Sequence, residues 1–185
     1  MRVDVAIVGG GPAGLAAAIG AARRGLGVVV LEKAGWPRDK ACGEGLMPSG
    51  LRALDRLGVR ALLDPDACAP FEGVRYIQED GSFAEARFAA SSGGGLGIRR
   101  SALSDALARR AEELGVTLRA GATVQRLRRL SDGIELHLDK QDTLATKLVI
   151  AADGLASPRR HAEGLDMPAR GSRRFGLRRH YRCAP

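Results

Sequence analysis

Aromatic side chains are nearly missing from this sequence: four Phe, two Tyr and one Trp in 185 residues. The core must therefore be aliphatic, and the surface offers few platforms on which bases could stack. Cysteine is scarce too. Cys42, Cys68 and Cys183 stand far apart, none in a CxxC pair, which excludes a disulfide framework. His137, His161 and His180 show no metal-ligand spacing, so no metal is expected. No apolar run approaches the roughly 20 residues that cross a bilayer, so no transmembrane segment is expected. The chain enters an alternating strand directly, without a charged-then-apolar leader, and the expected location is the cytoplasm. Lysine occurs only at Lys33, Lys40, Lys140 and Lys147, so arginine carries most of the net charge of +8. Of that charge, +6 lies after Pro158. A basic tail without interleaved aromatics is weak evidence for nucleic acid, and none is expected as a partner.

Glycine, by contrast, is abundant, with 25 residues gathered in turns rather than in linkers. Such clusters suit close approach of backbone to a ligand. Val3–Val8 reads as a buried parallel strand, and Pro12–Arg24 as a helix with proline in its permitted first turn. Gly25 ends that helix, and Val28–Leu31 completes a βαβ unit at Glu32. A loop runs from Lys33 to Ser49, and a short amphipathic helix from Gly50 to Leu57. Phe71–Gln78 and Ser82–Phe88 read as a hairpin around Glu79-Asp80-Gly81. Ser91–Gly97 reads as a glycine loop without periodicity. Ser101–Leu114 has helical spacing, Val116–Leu118 is strand-like, and 122–130, 134–138 and 144–151 form a small meander. The fold class is α/β: a parallel sheet with antiparallel insertions.

Gly9, Gly11 and Gly14 make a GxGxxG turn after a strand and at the start of a helix. The first glycine allows the tight turn, the second lets a pyrophosphate approach the backbone, and the third lets helix and strand pack closely. The helix N-terminus offers free N–H groups and partial positive charge. Glu32, 18 residues after Gly14, sits where a carboxylate accepts hydrogen bonds from a ribose. This motif does not by itself distinguish FAD from NAD. Trp36 reads as a loop anchor and His137 as an exposed-face residue of a strand.

A second stretch, Ala152-Asp153-Gly154-Leu155-Ala156-Ser157-Pro158-Arg159-Arg160, follows a late apolar strand. It resembles the second fingerprint of the FAD-dependent monooxygenase and geranylgeranyl reductase-like flavoproteins. The resemblance implies that Asp153 contacts the ribityl side of the flavin and that NAD(P)H is the reductant. Lys40-Ala41-Cys42-Gly43-Glu44-Gly45-Leu46-Met47-Pro48 looks like the reductase-branch loop beside the isoalloxazine ring. Arg100-Ser101-Ala102-Leu103 looks like the family's helix start whose arginine faces the phosphates, with Arg99 as the neighbouring alternative. Val124 falls where the family contacts adenine through backbone atoms. The resemblance therefore implies a Rossmann-like FAD-binding domain whose cofactor-binding residues are Gly9, Gly11, Pro12, Ala13, Gly14, Glu32, Lys33, Cys42, Gly43, Arg100, Val124, Asp153 and Gly154.

The same resemblance implies FAD-dependent oxidation or reduction of a small organic substrate, by hydroxylation or by saturation of a double bond. No residue reads as a general acid or base, so the catalytic residues stay unassigned. Family members run to about twice this length and add a substrate sheet and a third flavin motif. Residues 1–170 are thus expected to form the FAD-binding domain, with a hairpin insertion at about 71–90 and a meander at about 122–150. Residues 171–185 would begin a truncated substrate domain. The other open reading is an incomplete FAD- or NAD-binding fragment that needs a missing C-terminal half or a partner chain.

Overall fold

The structure is a computed structural model, and it describes residues 2–167, 171 and 175–181. Its centre is a six-stranded sheet. β1 (Arg2–Val8) lies between β2 (Val28–Glu32) and β11 (Thr143–Ala151), parallel to both, and β8 (Thr117–Ala120) runs parallel to β2 at one edge. Beyond β11 the pairing turns antiparallel, through β10 (Gly133–Leu138) to β9 (Val124–Leu130). The sheet is thus the expected parallel core, extended by the meander.

Side-chain alternation decides what covers each face. Val5, Ile7, Val28 and Val30 point to one side and meet Leu15 and Ile19 of α1 (Pro12–Ala22) and Leu107 and Ala111 of α3 (Arg100–Glu113). Ala6, Val8, Val29 and Leu31 point to the other side, where Val124, Leu136, Leu138 and Leu144 cover them. Successive residues of β1 and β2 therefore feed two separate cores, which is why both strands read as continuous apolar runs. The meander supplies the second face, a role that a helix layer fills in doubly wound sheets.

α2 (Pro48–Leu57) begins two residues before the predicted start and buries Leu51 and Leu54. The main departure lies between α2 and α3. The supposed glycine loop contains β7 (Gly95–Ile98), the central strand of a small antiparallel sheet with β3 (Gly45–Leu46) and β4 (Cys68–Phe71). A Cβ at Gly95 would stand 2.6 Å from Cε2 of Phe71, so the Phe71 ring occupies the place of a side chain. Two glycines in four residues erase the alternation by which a strand is recognised. Phe71 accordingly belongs to β4, and the hairpin proper is β5 (Gly73–Ile77) with β6 (Phe83–Arg87). Residues 175–181 carry no regular structure. The other residues assigned from sequence to a substrate-domain start, apart from Gly171, lie outside the described residues.

Candidate functional site

Three parallel strands end together, and the two sequence motifs meet at that edge. Gly9 donates its N–H to the carbonyl of Leu31 at 2.8 Å, and Ala152 donates to the carbonyl of Val8 at 2.8 Å. Gly9 has φ of +106°, and a Cβ there would stand 2.6 Å from the carbonyl carbon of Ala152 and 2.9 Å from Cα of Asp153. No L side chain fits that backbone or that space. Gly14 packs under the turn, where a Cβ would overlap the carbonyl oxygen of Gly9. The first turn of α1 has no side-chain cap, which leaves its N–H groups free for a ligand.

Glu32 is buried at 6% exposure. Its Oε2 accepts the N–H of Gly10 at 2.8 Å, its Oε1 accepts that of Ala34 at 3.0 Å, and Arg38 lies 3.3 Å from Oε1. The loop beyond is fastened by Trp36, whose indole N–H donates to Gly10 at 3.0 Å, and by the Arg38 N–H, which donates to the buried Ser104 hydroxyl at 2.8 Å. Trp36 is thus a loop anchor, as read from sequence. Across the turn, Oδ2 of Asp153 takes a long contact of 3.4 Å from the N–H of Arg159, while its Oδ1 is buried without a partner. Nε of Arg100 is likewise buried and unpartnered, and its Nη2 lies 3.9 Å from where a Cβ at Gly11 would be.

These groups line one cleft of about 440 Å³. Of the residues singled out from sequence, Gly9, Gly11, Pro12, Ala13, Glu32, Lys33, Arg100, Val124, Asp153 and Gly154 line it. Gly14 does not, because it is packed beneath the turn. Cys42 and Gly43 do not line it either, and Cys42 is exposed. Arg100, not Arg99, faces the cleft; Arg99 lines a separate groove with Pro37 and Asp105. Arg38, Lys40, Thr123 and Arg159 also line it. For Arg38 no signal existed, since its loop has no periodicity, whereas Lys40 opens the stretch that resembles the loop beside the isoalloxazine ring. Arg160, the last residue of the second stretch, pairs with Asp166, and Ser157 caps α4 (Pro158–Ala162). Five cationic residues (Lys33, Arg38, Lys40, Arg100, Arg159) face two carboxylates across the lining, a balance suited to an anionic ligand.

A family model described as "FAD binding domain" matches residues 2–177. This chain belongs to that FAD-binding family. The menaquinone reductase of Mycobacterium tuberculosis is 34% identical over 159 residues, covering 84% of this chain and 38% of the relative. Digeranylgeranylglycerophospholipid reductase 1 of Methanococcoides burtonii is 32% identical over 173 residues, covering 89% and 41%. Among solved structures, a probable FAD-dependent monooxygenase from Pseudomonas aeruginosa superposes with a TM-score of 0.79 at 22% identity, covering 93% of this chain and 48% of that one. The FAD-binding domain described here thus spans about 40% of the length of the curated relatives it matches. Among its described residues no group of three or more His, Cys, Asp or Glu is placed to hold a metal, and no helix is long and apolar enough to cross a membrane.

Proposed function

We propose that the cleft at the Gly9–Gly14 turn holds FAD, and that the whole protein is a cytoplasmic FAD-dependent oxidoreductase acting on a small organic substrate. NAD(P)H is the proposed reductant, and hydroxylation or double-bond reduction the proposed outcome. The observation that carries the reading is that two of the three buried side-chain polar atoms without hydrogen-bond partners among the described residues, Asp153 Oδ1 and Arg100 Nε, belong to residues that line one cleft, the third being His137 Nε2 outside it. Buried polar groups are rarely left unpaired unless a ligand or water completes them. A dinucleotide with hydroxyls at one end and phosphates in the middle matches that donor and acceptor set.

In this assignment the N-terminus of α1, Gly11 and Arg100 hold the pyrophosphate, and Glu32 accepts from the adenosine ribose. Val124 borders the adenine through its backbone, and Asp153 accepts from a ribityl hydroxyl. Bound FAD supplies two-electron redox chemistry that no side chain provides. The protein's part is to bind, orient and shield it.

The test is titration of the purified chain with FAD and with NAD, followed by gel filtration and a visible spectrum. A retained flavin spectrum supports the assignment. Binding of NAD without retention of flavin overturns it in favour of a nicotinamide dehydrogenase. Bleaching of bound flavin by NADH or NADPH under nitrogen tests the reductant, and no bleaching by either overturns that part.

A further inference from the structure

Glu44 belongs to neither glycine motif, yet two distant parts of the chain converge on it. Its φ is 53°, a left-handed conformation that few L residues adopt. There its carbonyl accepts the N–H of Ile98 at 2.6 Å, and its Oε1 accepts the N–H of Arg100 at 2.7 Å. Both contacts fall where β7 passes into α3. The N-cap residue, Arg99, makes no side-chain cap, and Glu44 supplies from another loop an acceptor for the first of the helix's free N–H groups.

The carboxylate is also gripped from the far side. Arg178 donates from Nη1 to Oε1 at 2.8 Å, and Nε2 of His180 lies 2.6 Å from Oε2. Asp39 holds Nη2 of Arg178 at 2.7 and 2.8 Å. The Glu44 side chain is only 16% exposed. A mostly buried carboxylate held at both oxygens by charged or backbone partners is fixed in position.

Arg100 connects this cluster to the cleft. Its amide sits on Glu44, while its guanidinium stands beside Gly11 with Nε unpartnered. We infer that Glu44 is a positioning residue for the cofactor phosphates, acting through Arg100, with Arg178 and His180 holding its carboxylate in place. This rests on the reading of the cleft as the FAD site.

The experiment measures affinities of the 185-residue chain for FAD, ADP and adenosine, in wild type, E44G, E44Q, R178M, R100A and the E44G/R100A double variant. Glycine accepts the left-handed backbone, so E44G deletes the carboxylate while keeping the loop. Glutamine still accepts from the Arg100 amide. E44G is expected to weaken ADP and FAD about tenfold, the scale of one charge-assisted hydrogen bond, and to leave adenosine unchanged. E44Q should recover most of that loss, and the double variant should bind no more weakly than R100A. R178M should weaken ADP by a few-fold without affecting adenosine, which keeps the test alive if E44G does not fold.

Unchanged ADP affinity in E44G or R178M, an equal loss for adenosine, or additivity with R100A overturns the inference. A wild type that binds neither FAD nor ADP overturns the cleft assignment and this inference with it. Wild-type binding with inert variants overturns this inference alone.

Discussion

Trp36 lies on Gly10: the indole N–H donates to the Gly10 carbonyl at 3.0 Å, and a Cβ at Gly10 would stand 2.7 Å from Cε2 of the ring. Trp36 is the sole tryptophan, so its emission reports on the glycine turn alone. Gly10→Ala must push the ring outward into water. The expected result is a red-shifted emission in the variant and quenching of the wild-type emission by added FAD. A G10A spectrum that superposes on wild type would show that the ring does not rest there.

Two glycines of α1 make opposite predictions. At Gly14 a Cβ overlaps the Gly9 carbonyl oxygen, whereas at Gly20 the nearest atom is Nη1 of Arg24 at 3.8 Å. Gly14→Ala should destabilise the fold by about 2–3 kcal/mol through forced separation of helix and turn. Gly20→Ala relieves the entropic penalty of a glycine in the last turn of the helix and should stabilise by roughly 0.5 kcal/mol. Urea denaturation midpoints decide it, and a shift of equal sign in the two variants refutes the packing scheme.

Asp153→Ala removes a buried oxygen that has no partner in the structure, and with it only the long 3.4 Å contact of Oδ2 with the Arg159 N–H. An unsatisfied buried acceptor costs about 1–3 kcal/mol, so the variant should melt no lower than wild type without ligand. Its FAD affinity should nevertheless fall by about tenfold, the scale of one lost hydrogen bond. Loss of stability together with unchanged affinity would assign Asp153 a scaffold role instead.

The Glu44 carboxyl carries a pH signature. Burial pushes its pKa up, but the Arg100 amide, His180 and Arg178 outweigh burial and hold it below the ordinary value. A depressed folded-state pKa contributes stability that is present above the unfolded glutamate value of about 4.3. That contribution is lost as pH falls through the lower folded value. E44Q lacks this titration, so the stability gap between wild type and E44Q should narrow as pH falls below about 4.3. A gap that stays constant from neutral pH to pH 3 would contradict the arrangement.

Much of the candidate site was legible in the sequence because most residues that line the cleft lie in short runs along the chain. Gly9, Gly11, Pro12 and Ala13 lie within one turn and share one backbone constraint, and Asp153-Gly154 sits at the end of an apolar strand. Strand, turn and helix are separated by fewer than 15 residues there, so spacing alone constrains geometry. β7 was hidden because Gly95 gives up its side chain to Phe71, 24 residues earlier, and no local pattern records that exchange. Cys42 is a candidate through the resemblance of its loop to the one beside the isoalloxazine ring, and in the structure the path of that loop leaves it exposed and off the cleft lining.

What the sequence by itself determined was the βαβ unit, the two strand-end motifs and the aliphatic core, since each depends on residues a few positions apart. Tertiary structure alone decided which arginine of Arg99 and Arg100 faces the cleft, and which side of the sheet the meander covers. It also brought Glu44, Arg100, Arg178 and His180 onto one another. Those contacts join residues 56 to 136 positions apart. Contacts at that range depend on how whole elements pack, because a side chain's partner across the fold leaves no mark on the spacing of its own segment.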